Sequence, residues 1–383
     1  MISILFFAAL MLACVVLASM YQKEVNKNKR NLYFALMILI PSIFAGLRYY
    51  VGTDYGIHEG VFFDVANGLI VEKHAEIGYV FLNQIVAFFH GNYNIVLFLV
   101  HLISLTCYFL SIKHFEDHIN VPLAVLFYFL LYYQMSLNYI RQLLAASIAI
   151  YGCVLYIKNM KKSGLLVTLI SGLFHMTGWI YLPIMLLYRF FINDRWNLLK
   201  VILYISGIIL LFTYPIFLPP ILEYFEELIP KLAYFFNYLE AQYQMIGIGL
   251  FRYLLLIVVP GLFFYKHAKE QFKFMIHITI LGFILWLTSY VTKMEFYRIA
   301  HNFLLMLPIL LAYFFKNTGN LFVEYQDLPK LLKNKLFNMI YKYRIILYRS
   351  MTVFLIVFFW IYDFFILGAH ETIPYVWILG VIG

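Results

Sequence analysis

What most constrains this chain is the recurrence of apolar runs about 20 residues long, each closed by a short connection rich in lysine or arginine. A helix of that length rises about 30 Å, the thickness of the hydrocarbon core of a bilayer. With 64% hydrophobic and only 12% charged residues among 383, too little polar surface remains to solvate a globule of this size. The expected fold class is therefore an all-α polytopic membrane protein, a single integral membrane domain over residues 1–383. Full spans are expected near 2–20, 32–47, 94–112, 120–137, 142–157, 199–218, 248–265, 273–291, 299–315 and 350–367.

The net charge of +9 would suggest nucleic acid in a soluble protein. Here the basic residues sit in the short connections, which is the positive-inside signature, and no nucleic-acid partner is expected. Lys23, Lys27, Lys29 and Arg30 follow the first apolar run rather than precede it. That run is expected to be a retained anchor with the N-terminus outside. The cysteines, Cys14, Cys107 and Cys153, lie in apolar runs with no metal or redox spacing and read as small core residues.

Two segments do not fit the regular pattern. Gly78 to His90, at about 20 Å as a helix, is too short to cross. Glu76, Asn83 and His90 recur at seven-residue spacing opposite Val80, Phe81, Ile85, Phe88 and Phe89. An interfacial helix within one large external loop, 48–92, is expected. The second segment, Leu165 to Tyr188, is broken by Phe174-His175-Met176-Thr177-Gly178 and has basic residues at both ends. If it enters and leaves on the inside, 21 of the 28 lysines and arginines fall on inner segments. If it crosses once, only 12 do, and the most basic loop, 316–349, moves to the wrong side. A membrane hairpin over 164–190 with His175 at its tip is expected, which makes ten spans plus a hairpin, or twelve if each arm counts.

The basic residues left on the outer side are Arg48, Lys73, Arg141, Lys231, Arg252, Lys293 and Arg298. Arginine offers a planar fork of donors that matches phosphate oxygens, so a set of arginines at span ends suits a lipid-linked phosphate or pyrophosphate. Snorkelling or pairing with a carboxylate is the plainer reading of any one of them. Arg141, in the short connection Asn138-Tyr139-Ile140-Arg141-Gln142, and Arg48, opening Arg48-Tyr49-Tyr50-Val51-Gly52-Thr53-Asp54-Tyr55, rank first. Arg298 shares a helical face with Glu295 and Asn302, where a local ion pair with Glu295 competes with a ligand role. Arg252 has the least context.

Each hairpin arm of about 12 residues rises about 18 Å, so His175 at the tip is expected near mid-membrane, where it needs a cavity or a partner and could accept a proton from a sugar hydroxyl. Asp54, Glu59, Asp64, Glu72 and Glu76 populate the external loop. Asp54 is favoured as base because the Gly52-Thr53 turn keeps it near Arg48, although it could equally be that arginine's counter-ion. Glu295 is the remaining candidate catalytic carboxylate. The chain has no Walker loop, GxGxxG, HExxH, GxSxG or DxD. No cofactor and no metal site are expected, and a donor would have to bring its own leaving group.

The Arg48 to Tyr55 block, Glu76-Ile77-Gly78-Tyr79, Asn138 to Gln142, Phe174 to Thr177, and Tyr297-Arg298 ahead of Leu307-Pro308 together resemble the EpsG-like family of bacterial polysaccharide polymerases, the Wzy type. The resemblance runs in order over about residues 40–310. It implies a bacterial inner-membrane enzyme that joins undecaprenyl-pyrophosphate-linked oligosaccharide repeat units into O-antigen, capsule or exopolysaccharide on the outer face. It further implies that Arg48, Arg141 and Arg298 hold the pyrophosphate while Asp54 or His175 deprotonates the acceptor. Membrane lipid, a chain-length regulator and a flippase are the partners that go with it. The large external loop with an interfacial helix is similar to that of C-type glycosyltransferases, an analogy at the level of fold. An O-antigen ligase and a flippase or other transporter are the competing functions.

Overall fold

The computed structural model describes residues 2–69, 75–209, 213, 249–289, 295–323, 335–378 and 380–382. Helices α1 (Ile2–Lys23) and α2 (Lys27–Leu47) lead into two short helices, α3 (Tyr55–Ala66) and α4 (Ile77–Phe88), and then into α5 (Tyr93–His114), α6 (Val121–Asn138) and α7 (Ile140–Ile157). They are followed by α8 (Lys161–Ser171), α9 (Met176–Leu186), α10 (Asn197–Ile209), α11 (Gly249–His267) and α12 (Glu270–Thr288). Last come α13 (Glu295–Leu304), α14 (Leu307–Val323) and α15 (Lys335–Ile361).

Among the described residues, nine helices are long and apolar enough to cross a bilayer, one of them running through α13 and α14 as Tyr297–Gly319. All nine coincide with expected spans. The tenth, 199–218, is represented by α10, and most of its remainder lies outside the described residues. Helix α15 runs unbroken from Lys335 into the last span, so the second half of the basic segment 316–349 is helical.

Helix starts follow local chemistry. Asn26 accepts from the Asn28 and Lys29 amides at 3.0 and 3.2 Å, Asn92 from Ile95 at 3.3 Å, and Asn120 from Leu123 at 3.1 Å, so three spans begin on an asparagine cap. Pro41 inside α2 cannot donate to the Met37 carbonyl, which receives the Cys14 thiol at 3.9 Å instead. That contact gives one buried cysteine a packing role.

The chain divides into two compact units, Met1–Met185 with Pro308–Gly383, and Leu186–Leu307. In the first, α1 packs on α2 and α6, α2 on α5, α5 on α7, and α7 on α8. The α7–α8 crossing depends on glycines: a Cβ on Gly152 would stand 2.8 Å from the Gly164 carbonyl, and one on Gly164 2.6 Å from that of Gly152. At one end of this unit the segments expected on the inner side meet one another. Arg30 and the Tyr21 hydroxyl both bind Glu116, Lys316 donates to the Asp117 carbonyl at 2.8 Å, and Arg349 donates to that of Phe315 at 2.6 Å. The opposite end carries α3, α4 and the candidate site.

In the second unit, α12 and α13 pack so closely that a Cβ on Gly282 would stand 2.8 Å from the Phe303 side chain. Lys273 pairs with Asp194 at 2.8 Å, and Lys200 donates to the Phe191 and Asn193 carbonyls at 2.7 and 3.0 Å. Segments 189–200 and 266–273, both expected on the inner side, therefore share one end of this unit. The Lys273 ammonium holds the Asp194 carboxyl below the usual carboxylate range by hydrogen bonding to its charged form.

The all-α expectation has one exception among the described residues. Tyr375–Trp377 pairs antiparallel with Gly380–Ile382, and Trp377 forms an isolated bridge with Arg48.

Candidate functional site

The Gly-Thr-Asp turn is built by an asparagine 84 residues away. After α2, Arg48 leaves helical geometry, Tyr50 and Gly52 take left-handed φ of 48° and 99°, and α3 starts at Tyr55. A Cβ on Gly52 would stand 3.0 Å from the Leu137 carbonyl, so glycine is required both for φ and for close approach. Asn138, at the end of α6, accepts from the Asp54 amide at 2.8 Å and from the Thr53 hydroxyl at 2.9 Å with the same oxygen. The five residues Phe129–Tyr133 are wound as a π-helix one turn earlier, a distortion frequent at functional sites.

Asn138-Tyr139-Ile140-Arg141 also reaches the second half of the site. Arg141 binds Glu76 at 2.6 Å, with both side chains about one-fifth exposed, and its guanidinium lies 5.7 Å from the Tyr79 ring centre. Glu76 is held from the other side by the Met176 amide, which donates to its second oxygen at 3.3 Å. The Gly78 amide donates to the Leu173 carbonyl at 2.8 Å, and a Cβ on Gly78 would come within 2.7 Å of that oxygen. The start of α4 is thus welded to the turn between α8 and α9.

His175 stands in that turn, half-buried, with Nδ1 2.8 Å from the Thr177 hydroxyl. Helix α9 runs back beside α8, where the Thr168 hydroxyl donates to Met185 Sδ at 3.3 Å. Residues 172–175 leave the helix, and the Met176 amide that follows reaches Glu76, so the turn lies beside the Glu76–Arg141 pair.

Helix α4 keeps the expected short length and is apolar on two faces: Tyr79, Leu82 and Val86 are buried in the core of the first unit, and a second apolar face points away from the protein. Ile77, Phe81, Phe88 and Phe89 are exposed whereas Asn83 is buried, its amide donating to the Tyr79 carbonyl at 2.7 Å. An exposed face of large apolar side chains on a helix too short to span suits a helix bedded at the lipid surface.

Arg48 departs from the expected pyrophosphate ligand. It is 0% exposed, and none of its three guanidinium nitrogens has a hydrogen-bond partner among the described residues, so Asp54 is not its counter-ion. Tyr55, Tyr93, Tyr133 and Tyr375 lie within electrostatic reach around it. In this conformation Arg48 cannot touch a substrate; it sits beneath the site as a desolvated positive charge. No local pattern announces this burial, because the cover comes from residues 375–378. The Tyr49 amide donates to Val376 O, the Ile378 amide to Leu47 O, both at 2.9 Å, and the Tyr375 hydroxyl to Phe44 O.

The first unit therefore brings together Asp54, Arg141 and His175, with Arg48 below them. Arg252, Glu295 and Arg298 belong to the second unit. Arg252 is nearly buried in α11, 5.3 Å from the Tyr253 ring centre. Glu295 and Arg298 lie one turn apart on α13, with Asn302 one turn further on and fully buried. In the sequence Glu76 stood out only as one of five loop carboxylates and as the start of a family motif, Asn138 only as part of another motif, and the C-terminal segment had no part in the site. The one available signal was that Asn138 and Arg141 share a connection too short to reach different places.

Four of the five motifs on which the family resemblance rests meet here, and the fifth, Tyr297-Arg298 ahead of Leu307-Pro308, starts in the second unit. No curated protein and no solved structure matches the chain. A family model described as the EpsG family matches residues 31–325, more than half of the length, with the Arg48 block, Glu76, Asn138, Arg141, His175 and Arg298 all inside it. The chain belongs to the EpsG family.

Proposed function

We propose that this protein is a glycosyltransferase of the bacterial inner membrane that polymerises undecaprenyl-pyrophosphate-linked oligosaccharide repeat units on the periplasmic or outer face. Membership of the EpsG family points to a polysaccharide polymerase-type function. The observation that carries the finer reading is the half-buried constellation of Arg141, Glu76 and the hairpin tip beside the Asp54 turn.

In this reading the acceptor hydroxyl oxygen attacks the anomeric carbon of the growing chain, and the bond from that carbon to the pyrophosphate oxygen breaks. The leaving pyrophosphate departs with the electron pair, and Arg141 neutralises it with its planar fork. The hydroxyl proton passes to a carboxylate. Glu76, fixed between Arg141 and the Met176 amide, is the best-placed acceptor; Asp54, held by Asn138, and His175, next to Met176, are the alternatives. The charge of Arg48 biases the site toward anions from below, and Arg298 and Arg252 remain further candidates for the lipid-linked phosphates.

The test is the sugar ladder after disruption in the native host, with complementation by variants. Single capped repeat units mean polymerase loss, free lipid-linked polymer means ligase loss, and material trapped in the cytoplasm means flippase loss. Arg141→Lys, which keeps charge but loses the fork, should abolish polymer at unchanged protein level. Normal polymer lengths from that variant would remove Arg141 from the reaction.

A further inference from the structure

The C-terminal segment 369–378 lies beyond the matched family region, 31–325, yet it closes over the block that carries the strongest family signal. Its main chain is tied to that block at Gly52, whose amide donates to the Glu371 carbonyl at 3.2 Å, as well as at Leu47 and Tyr49. Its side chains are anchored on two sides. Thr372 accepts from the Gln134 amide at 3.1 Å, while Gln134 in turn accepts from the Trp360 indole at 2.6 Å. Tyr375 stacks on Phe6 at 4.5 Å, and its amide donates to the Ser3 hydroxyl at 3.0 Å.

One contact links this strap to the reacting end of the site. Asn138 Nδ2 lies 3.2 Å from His370 Nδ1, and the His370 ring packs edge-on against Tyr139 at 4.8 Å. The orientation of the Asn138 amide is decided by its other end, because its oxygen receives both the Asp54 N–H and the Thr53 O–H. Nδ2 is therefore the donor toward His370, and the imidazole accepts on Nδ1 with its proton on Nε2. His370 holds this position with a left-handed φ of 65°, between Gly368 at 63° and Glu371 at 49°. Consecutive side chains in that region are costly unless their surroundings impose it, and the anchors at Gln134, Thr372 and Tyr375 supply that constraint.

We infer that His370 is a positioning residue of the candidate site: through Asn138 it orients the Thr53–Asp54 turn, and the strap that carries it is one wall of the site and the seal over Arg48. The geometric part stands by itself; its consequence for polymer synthesis rests on the proposed function.

The experiment uses the full-length protein in detergent with His370→Ala and His370→Asn. Asparagine retains an acceptor and tolerates a left-handed backbone better than most residues. Hydrogen exchange of the peptide containing the Asp54 amide should rise about five- to tenfold in His370→Ala, the loss of roughly one hydrogen bond, and return toward wild type in His370→Asn. A chain ended after Leu367 should make Arg48 reactive to phenylglyoxal, whereas the intact chain protects it. Unchanged exchange in His370→Ala overturns the inference whatever the activity. Raised exchange with a normal sugar ladder keeps the positioning role and instead counts against a part for this turn in polymerisation. Raised exchange with shortened polymer, rescued by asparagine, supports both.

Discussion

Arg141 and Glu76 occupy a position where neither charge is fully hydrated or fully buried, and each satisfies the other at 2.6 Å. Removing one partner leaves the other partly desolvated, a cost of about 1–3 kcal/mol for a group of this kind. Glu76→Gln should therefore lower thermal stability modestly while lowering polymer yield far more; a melting shift with an unaltered sugar ladder would make the pair structural only. Gly52→Ala is expected to destabilise by about 1–3 kcal/mol, because alanine resists φ of 99° and its Cβ would press on the Leu137 carbonyl. A melting temperature equal to wild type would show that the turn adapts. Arg48 is the opposite case from Arg141: a guanidinium with no partner among the described residues, retained at a desolvation cost of several kcal/mol.

Helices α4 and α8 act as one element through Gly78 and Leu173. The amide-to-carbonyl bond of 2.8 Å leaves no room for a side chain. Gly78→Val should push the start of α4 off the hairpin turn and part Glu76 from the Met176 amide. The expected readout is loss of polymer with the protein still inserted and only slightly less stable; a normal ladder would show that the weld is dispensable. The π segment of α6 belongs to this scale as well. By adding a residue to the turn, it shifts the rotational phase at which Asn138 and Arg141 emerge, and no periodicity in the sequence announced it.

Across the whole molecule, each unit keeps the basic segments expected inside at a common end: Arg30, Lys316 and Arg349 in one, Lys200 and Lys273 in the other. The first unit also gathers Ser3, Arg48, Arg141 and the C-terminal strap at its far end. In intact cells of a variant lacking Cys14, Cys107 and Cys153, a cysteine at Asn193 should resist a membrane-impermeant thiol reagent and one at Glu371 should react. Labelling of position 193 from outside would reverse the sidedness proposed for the second unit.

The placement of nine spans among the described residues, the short α4, the break at His175 and the basic connections were legible because each follows from a local quantity: apolar run length, heptad spacing or charge between runs. Membrane insertion makes these strong signals, since every unsatisfied backbone group in lipid costs several kcal/mol and forces helices. The candidate site was legible as a set of motifs but not as an arrangement. That Arg141 faces Glu76, that Asn138 holds Asp54, and that Arg48 is sealed by residues more than 300 positions later are decided by long-range packing and hydrogen bonds. By itself the sequence determined a helical membrane protein with arginines and acids concentrated at span ends. Only the tertiary structure decided which of those charges meet, because pairing depends on the geometry of contacts that no local pattern encodes.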